Sequence, residues 1–241
     1  MSSANAVELA EKAHDECVKL CSELTLDGST TCYQLMAPYY LHLIELLGSY
    51  LALAKLGHPS GTQSIFRTFL ECYVELTNLD SDENYWLYVY ANYHAEQKKF
   101  LGADPKTNPV MALMVASPVV AESKSKHEAA LKKLKLRGYS KLSVKERFEK
   151  ADMLTEYETL YCMESGGTHA DLRALIKRHF INNGDHIRFG VYEPCRAEEF
   201  NVRLGLMLKL LLSAARRTHR RFGSGIPAVL VELEDAESRL L

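Results

Sequence analysis

The sequence has no long apolar run of the kind that would cross a membrane. Its two most apolar stretches are Met111–Ala121 and Val202–Ala215, and both are shorter than the ~20 residues that a spanning helix needs. The amino-terminal residues also lack the basic segment and apolar stretch of a secretory signal. We therefore expect a cytoplasmic protein with no membrane partner.

Paired cysteines and a strong charge imbalance are missing as well. The six cysteines are scattered, with no C-x-x-C pair, as is typical of reduced thiols rather than a disulfide framework. The formal net charge is −2, so the chain as a whole does not present a positive field to a nucleic acid. Any nucleic-acid binding must be local.

Several common catalytic and cofactor motifs are also lacking. There is no H-E-x-x-H or paired Glu-x-x-His for a metal, no Walker A sequence, and no G-x-G-x-x-G after a strand. Cys17 and Cys21 lie one helical turn apart, but a metal would need further ligands from elsewhere. We therefore predict neither a metal nor a cofactor.

Helix signals recur along the whole chain, whereas alternating β-branched strand patterns are missing. We predict an all-α single domain over residues 1–241, a bundle of seven or eight helices whose acidic tail at 226–241 is open to fraying. The first four predicted helices are Ala4–Leu24, a second framed by Pro38 and Gly57, Gln63–Leu79, and a fourth opened by an Asp80/Glu83 capping box and ended by Gly102. The remaining four are Val119–Arg137, closed by Gly138, a sixth that is opened by a Ser143/Glu146 capping box and runs to at least Ser165, a seventh from Thr168 to Asn183-Gly184, and Ala197–Phe222.

A row of hydrogen-bonding residues recurs every four positions at Tyr157, Tyr161, Ser165 and His169. On a continuous helix this spacing places them along one face, where His169 could act as a general acid or base beside Ser165. The alternative is that these groups are satisfied polar contacts between packed helices. Gly166-Gly167 could also end the helix before His169.

Arg67 and Glu71 form a second polar pair on a helix rich in Phe, Leu and Tyr. At this spacing they can pair with each other and leave the guanidinium partly free for a phosphate or carboxylate. An ordinary surface ion pair is the alternative. We expect Arg67 and Glu71 to face Ser165 and His169 across one inter-helix groove, since buried polar groups need partners.

The segments IFRTFLECYVELTNL and KERFEKADMLTEYETLYCMESGGTHADL, with a long apolar helix after them, resemble a bacterial all-helical family catalogued only as a domain of unknown function. The resemblance implies a helical fold in a bacterial cytoplasm and no established activity. Arg173-x5-His179 is also similar to the Arg–His spacing of small helical ribonucleases from toxin and phage-defence systems.

Two local basic clusters could contact phosphates. One is Lys132, Lys133, Lys135 and Arg137, and the other is Arg216, Arg217, Arg220 and Arg221 at the end of the last long helix. The alternatives are a solvated helix face and cations that complement a helix carboxyl end.

These observations predict a polar inter-helix pocket with Arg67, Glu71, Ser165 and His169 as the candidate catalytic residues. We expect it to bind or act on a phosphate-bearing ligand, conceivably RNA in a defence or toxin-type system. The competing hypothesis is a non-enzymatic interaction protein, such as a homo-oligomer, whose polar residues only fix helix packing.

Overall fold

A computed structural model describes residues 3–25, 31–58, 61–104, 106–108, 111–113, 118–168, 171–182, 184, 186–191, 197–222 and 225–239. Throughout this part of the chain the regular structure is helical except for one short two-stranded sheet. The predicted all-α class is therefore confirmed. The described helices outnumber the seven or eight that the sequence predicts.

The elements follow one another along the chain as helices with a single hairpin near the end. They are α1 (Ser3–Leu20), a 3-10 turn (Cys21–Glu23), α2 (Thr31–Lys55), α3 (Thr62–Ser81), α4 (Trp86–Leu101), α5 (Pro118–Leu136), α6 (Val144–Lys150), α7 (Leu154–Glu156, a π-helical turn Tyr157–Tyr161, then Cys162–Thr168), α8 (Leu172–His179), β1 (Phe180–Asn182), β2 (Ile187–Phe189), α9 (Ala197–Arg221) and α10 (Ala228–Ser238).

The main core lies where α1, α2, α3 and α9 pack together. Tyr40 and Leu47 from α2, Phe69 and Leu76 from α3, and Leu211 from α9 are completely buried. In α2 and in α3 the two named residues are seven positions, or about two turns, apart and so lie on one apolar face, and burying these faces against one another drives the packing. In the described residues, no helix is both long and apolar enough to cross a membrane.

A second, smaller apolar cluster joins α4 to α5. Leu87 and Ala91 of α4 pack on Leu134 of α5. Further along the same two helices, the Nδ1 atoms of His94 and His127 are 2.7 Å apart. These contacts hold the basic carboxyl end of α5 close to the start of α4.

The second predicted helix begins earlier than expected, since Pro38 lies inside α2 rather than in its first turn. A proline in a helix interior removes the hydrogen bond to the residue four before it, at a cost of about 3 kcal/mol. The complete burial of Met36 and Tyr40 on either side of it offsets this cost. Tertiary packing therefore overrides the proline signal here.

The predicted Asp80/Glu83 capping box is wrong, because Asp80 belongs to the last turn of α3 and α4 begins only at Trp86. The predicted sixth helix is also wrong in its extent. Ser143 and Glu146 do form the expected capping box, but α6 ends at Lys150. Asp152 has a φ of 57° and Met153 N–H donates to the Phe148 carbonyl at 2.9 Å, which is the geometry of a helix-terminating Schellman motif.

The helix predicted to run to Asn183-Gly184 stops at His179, and an antiparallel hairpin follows it. Phe180 pairs with Phe189 and Asn182 with Ile187. Gly184, in the connecting turn, has a φ of 87°, a conformation that glycine adopts without strain. Asn-Gly between apolar residues is a strong hairpin signal, so the hairpin could have been predicted from the sequence.

Within the predicted acidic tail, residues Ala228–Ser238 form α10. Leu230 and Leu233 are buried as α10 packs on α1 and α9. This contact ties the last described helix to the main core.

Candidate functional site

A polar network connects α3 to α6 and α7. On α3, Arg67 Nε lies 3.3 Å from Glu71 Oε1 one turn later. From α7, the Tyr161 hydroxyl donates to Glu71 Oε1 at 2.7 Å and accepts from Arg67 Nη2 at 2.6 Å. The Arg67 guanidinium also lies over the Tyr161 ring, 4.7 Å from its centroid. Tyr161 therefore bridges the two members of the predicted pair.

Arg147 extends this network from α6. Its Nη1 donates to Glu75 Oε1 at 2.8 Å, and its Nη2 lies 4.0 Å from Glu71 Oε2. The Arg147 carbonyl accepts a 2.9 Å hydrogen bond from Asn78 Nδ2. Two arginines and two glutamates thus balance in formal charge at the contact between α3 and its neighbours.

The Tyr161 hydroxyl is poorly suited to acid–base chemistry near neutral pH. Burial, together with the hydrogen bond to Glu71, raises the pKa of Tyr161 to about 12. The hydroxyl therefore stays protonated. This protonation state is the one that lets it donate to the Glu71 carboxylate while it accepts from Arg67.

A third predicted catalytic residue, Ser165, hydrogen-bonds to the backbone of its own helix. Ser165 Oγ donates to the Tyr161 carbonyl of its own helix at 2.8 Å. The helix continues through Gly166-Gly167 to Thr168, but His169 lies outside the described residues. The structure thus brings Arg67 and Glu71 together with Tyr161, and it leaves the predicted role of His169 as a prediction.

A buried ion pair close to Ser165 anchors α7 to α9. Arg203 Nε donates to Glu164 Oε1 at 2.8 Å, and each side chain is 8% exposed. Sequence reasoning missed this pair, because the two residues are 39 positions apart on different helices and no local spacing relates them. Only the packing of the two helices brings them together.

The carboxyl end of α9 forms a different kind of cluster. Three of its arginines converge on Asp80 of α3, whose side chain is 3% exposed. Arg217 Nη1 lies 2.8 Å from Oδ2, Arg220 Nη2 3.2 Å from Oδ2, and Arg221 Nε 2.6 Å from Oδ1. Arg221 Nη2 also donates to the Asp80 carbonyl at 2.7 Å. We refer to these four residues as the arginine cluster.

The arginine cluster perturbs its own carboxylate. Burial by itself would raise the pKa of Asp80, but the guanidinium groups of Arg221 and Arg217 outweigh burial and hold the pKa below its usual value. Asp80 is therefore ionised at neutral pH. Arg216, the fourth predicted arginine, pairs instead with Glu234 of α10 at 2.6 Å.

The second predicted basic cluster lies on α5 and in the turn after it. Lys132, Lys133, Lys135 and Arg137 are all exposed. The Arg137 guanidinium lies 6.0 Å from the centroid of the Tyr139 ring. Between these cations, Leu134 is buried against α4, so the helix presents its charges to solvent on either side of that contact.

Two cavities lie beside α4, and neither is lined by Arg67, Glu71 or Ser165. The first, of about 310 Å³, is lined by Phe100 and Met111 among others. The second, of about 410 Å³, is lined by Asn92, Lys141 and Arg147 among others. Arg147 is the member of the polar network that reaches a cavity.

The described residues contain no group of three or more His, Cys, Asp or Glu side chains arranged to hold a metal ion. His179, which the ribonuclease-like spacing singled out, has its Nδ1 2.9 Å from the Gly190 carbonyl and so closes the hairpin. The Arg173 side chain lies outside what the structure describes.

Comparison with protein families identifies the family of this chain. The model of a family of unknown function, DUF5677, matches residues 33–187. The chain belongs to this family. No curated protein and no solved structure matches the chain.

Membership agrees with the resemblance drawn from the helical motifs, and the matched residues include the whole polar network. The arginines of α9 lie beyond the matched residues. Because the family has no assigned function, the chemistry of this chain must be argued from its own side chains.

Proposed function

We propose that this protein binds the phosphate backbone of RNA through the arginine cluster. The observation that carries the proposal is the convergence of three guanidinium groups on one buried carboxylate. Arginine presents several N–H donors in a planar fork, a geometry that suits phosphate oxygens. Arg220 is 58% exposed, so its guanidinium is accessible to a ligand.

The charge of the cluster supports ligand binding in addition to helix capping. Three arginines and one aspartate leave a formal charge of +2. The carboxyl ends of α3 and α9 meet here, and each contributes about half a negative charge. Arg220, whose side chain is 58% exposed, is the part of this charge that an anionic ligand could reach.

The second basic cluster, Lys132, Lys133, Lys135 and Arg137, can contact the same RNA molecule. Asp80 and Leu87 are seven residues apart, so they are separated by at most about 25 Å. Leu87 packs on Leu134, whose sequence neighbours are Lys133 and Lys135. One turn of a nucleic-acid duplex is about 34 Å long, so a short duplex could reach both clusters.

For the polar network around Glu71 we propose a structural role. Its formal charges balance, and the Tyr161 hydroxyl hydrogen-bonds to both Arg67 and Glu71. A balanced network fixes how α3 packs on α6 and α7, as the interaction-protein hypothesis expects. A catalytic role would require His169 beside this network.

The test is RNA affinity measured against salt concentration by fluorescence anisotropy. The probes are a labelled single-stranded RNA, the matching RNA duplex and a DNA duplex of the same length. Because phosphate binding releases counterions, we expect affinity to fall steeply as salt rises. Arg220→Glu and Lys133→Glu should each weaken binding and flatten that salt dependence.

Lys12→Glu is the control, since it makes the same change in net charge at an exposed lysine of α1. It should leave affinity nearly unchanged. If none of the three probes binds at about 50 mM salt, where such contacts are strong, the arginines serve only as helix caps and the proposal fails. Equal losses in all three variants would reduce the effect to net charge and would also contradict a local site.

A further inference from the structure

An exposed apolar face runs from α8 onto the hairpin. Its members are between 36% and 75% exposed, although each is a large aliphatic or aromatic residue: Leu172, Leu175, Ile176, Phe180, Ile187, Phe189 and Val191. We call this set the hairpin face. Together these side chains expose on the order of 700 Å², more than the ~300–600 Å² of the largest apolar patch on a typical monomer.

The spacing of these residues makes them contiguous. Leu172, Leu175 and Ile176 are three and four residues apart and so share one side of α8. Phe180 follows Ile176 by one turn, at the point where α8 passes directly into β1. The helical stripe therefore leads into the sheet.

On the hairpin, alternate residues share a side. The pairing of Phe180 with Phe189 and of Asn182 with Ile187 places Phe180, Ile187 and Phe189 on one side of the sheet. The Phe180 and Phe189 rings meet edge to face, with their centroids 5.2 Å apart. Arg188 points to the opposite side, so the strand side that carries the phenylalanines has no charged residue.

Little of the described protein covers this region. The main contacts of the hairpin are between its own strands and with α8, and α8 in turn contacts α7. An isolated two-stranded hairpin is at best marginally stable in water. A partner that buried the hairpin face would stabilise it.

We propose that the hairpin face joins two copies of this chain in a symmetric dimer. The exposed area is close to the ~800 Å² that each partner buries in a stable interface of standard size. A two-fold contact places the same surface on both partners, and the strand side that carries the phenylalanines can meet its own copy without like-charge repulsion. Homodimer interfaces are also more apolar than the average protein surface.

The experiment is the molar mass of the intact protein in solution, measured by sedimentation equilibrium over a range of concentrations. The wild-type chain should be a dimer. Phe189→Asp should yield a monomer with unchanged circular dichroism, because a buried carboxylate at the centre of the interface would be strongly unfavourable. Leu136→Asp is the matched control, since Leu136 is 81% exposed on α5 and should leave the dimer intact.

Val191→Asp repeats the test just after β2, in case Phe189→Asp disturbs the hairpin itself. Hydrogen exchange on the wild-type protein provides a second measurement that needs no variant. Amides of 180–182 and 187–191 should exchange more slowly in the dimer than after dilution to the monomer. A monomeric wild type would overturn the proposal, and so would a dimer that both aspartates leave intact or one whose hairpin amides gain no protection.

Discussion

The substitution Asp80→Asn separates the structural role of the arginine cluster from its proposed role in RNA binding. It retains the shape of the side chain and removes the one negative charge that the three arginines share. We expect the free energy of unfolding to decrease and the affinity for RNA to increase. A cluster that only caps helices would show the first effect without the second.

The loss of stability follows from the contacts of Asp80. Its carboxylate is 3% exposed and has guanidinium nitrogens at 2.6, 2.8 and 3.2 Å. A hydrogen bond to a charged group contributes about 1.5–3 kcal/mol, but the arginines are 32–58% exposed and water replaces part of what they lose. We therefore expect a net loss of about 2–3 kcal/mol, which lowers the Tm by about 4–12 °C.

This loss should depend on pH. The folded state lowers the pKa of Asp80. A carboxyl group with a depressed pKa contributes stability above its unfolded pKa of about 3.9, and that contribution disappears as the pH falls through the folded value. The difference between wild type and Asp80→Asn should be largest at neutral pH and should shrink below about pH 4.

The gain in affinity follows from the charge. The formal charge of the four side chains rises from +2 to +3 when Asp80 becomes Asn. If the variant makes one more phosphate contact, its affinity should fall about threefold more than the wild-type affinity does between 50 and 200 mM salt. Urea unfolding and RNA anisotropy measure the two effects, with Asp82→Asn as the stability control at an exposed neighbour. Weaker RNA binding by a folded Asp80→Asn protein would refute the reasoning, as would unchanged stability.

Three further predictions concern contacts elsewhere in the fold. Tyr161→Phe should lower the free energy of unfolding by about 1–3 kcal/mol, because it removes the hydroxyl between Arg67 and Glu71. The control is Tyr157→Phe, which keeps the ring that stacks on Tyr161. In urea unfolding it should change the free energy of unfolding by no more than about 0.5 kcal/mol. Glu164→Gln should lower the free energy of unfolding by about 1–3 kcal/mol, because it removes the nearer of the two carboxylates that pair with the buried Arg203 and leaves Glu199 at 3.6 Å. Glu158→Gln, at the exposed pair with Lys145, should change the urea midpoint little. Burial and the nearby His127 lower the pKa of His94 in the folded protein. Because the unfolded chain then binds this proton more readily, the Tm should fall as the pH drops below about 6.5. His127→Asn should weaken that pH dependence, and an identical pH profile in the variant would rule out the coupling.

Much of the helical framework can be read from local chemistry. The Ser143/Glu146 capping box, the Gly138 terminus and the amphipathic pattern of α3 depend on residues within one or two turns of each other, and each forms as predicted. The hairpin after α8 also has a local signal in Asn183-Gly184, although an Asn-Gly pair suits the end of a helix as well. Local signals fail where packing opposes them, as at Pro38, where buried neighbours on both sides keep α2 continuous.

The sequence alone determined which residues can pair within a helix, because a spacing of three or four positions fixes neighbours on one face. It therefore identified Arg67 with Glu71 and the run of arginines at the end of α9. Only the tertiary structure decided which partners these residues meet across helices: Tyr161 lies 90 residues from Glu71, and Asp80 lies 137 residues from Arg217. Such pairs form because burying the apolar faces of α2, α3, α7 and α9 sets how the helices lie together. The polar groups must then find partners within that arrangement, and no local spacing encodes it.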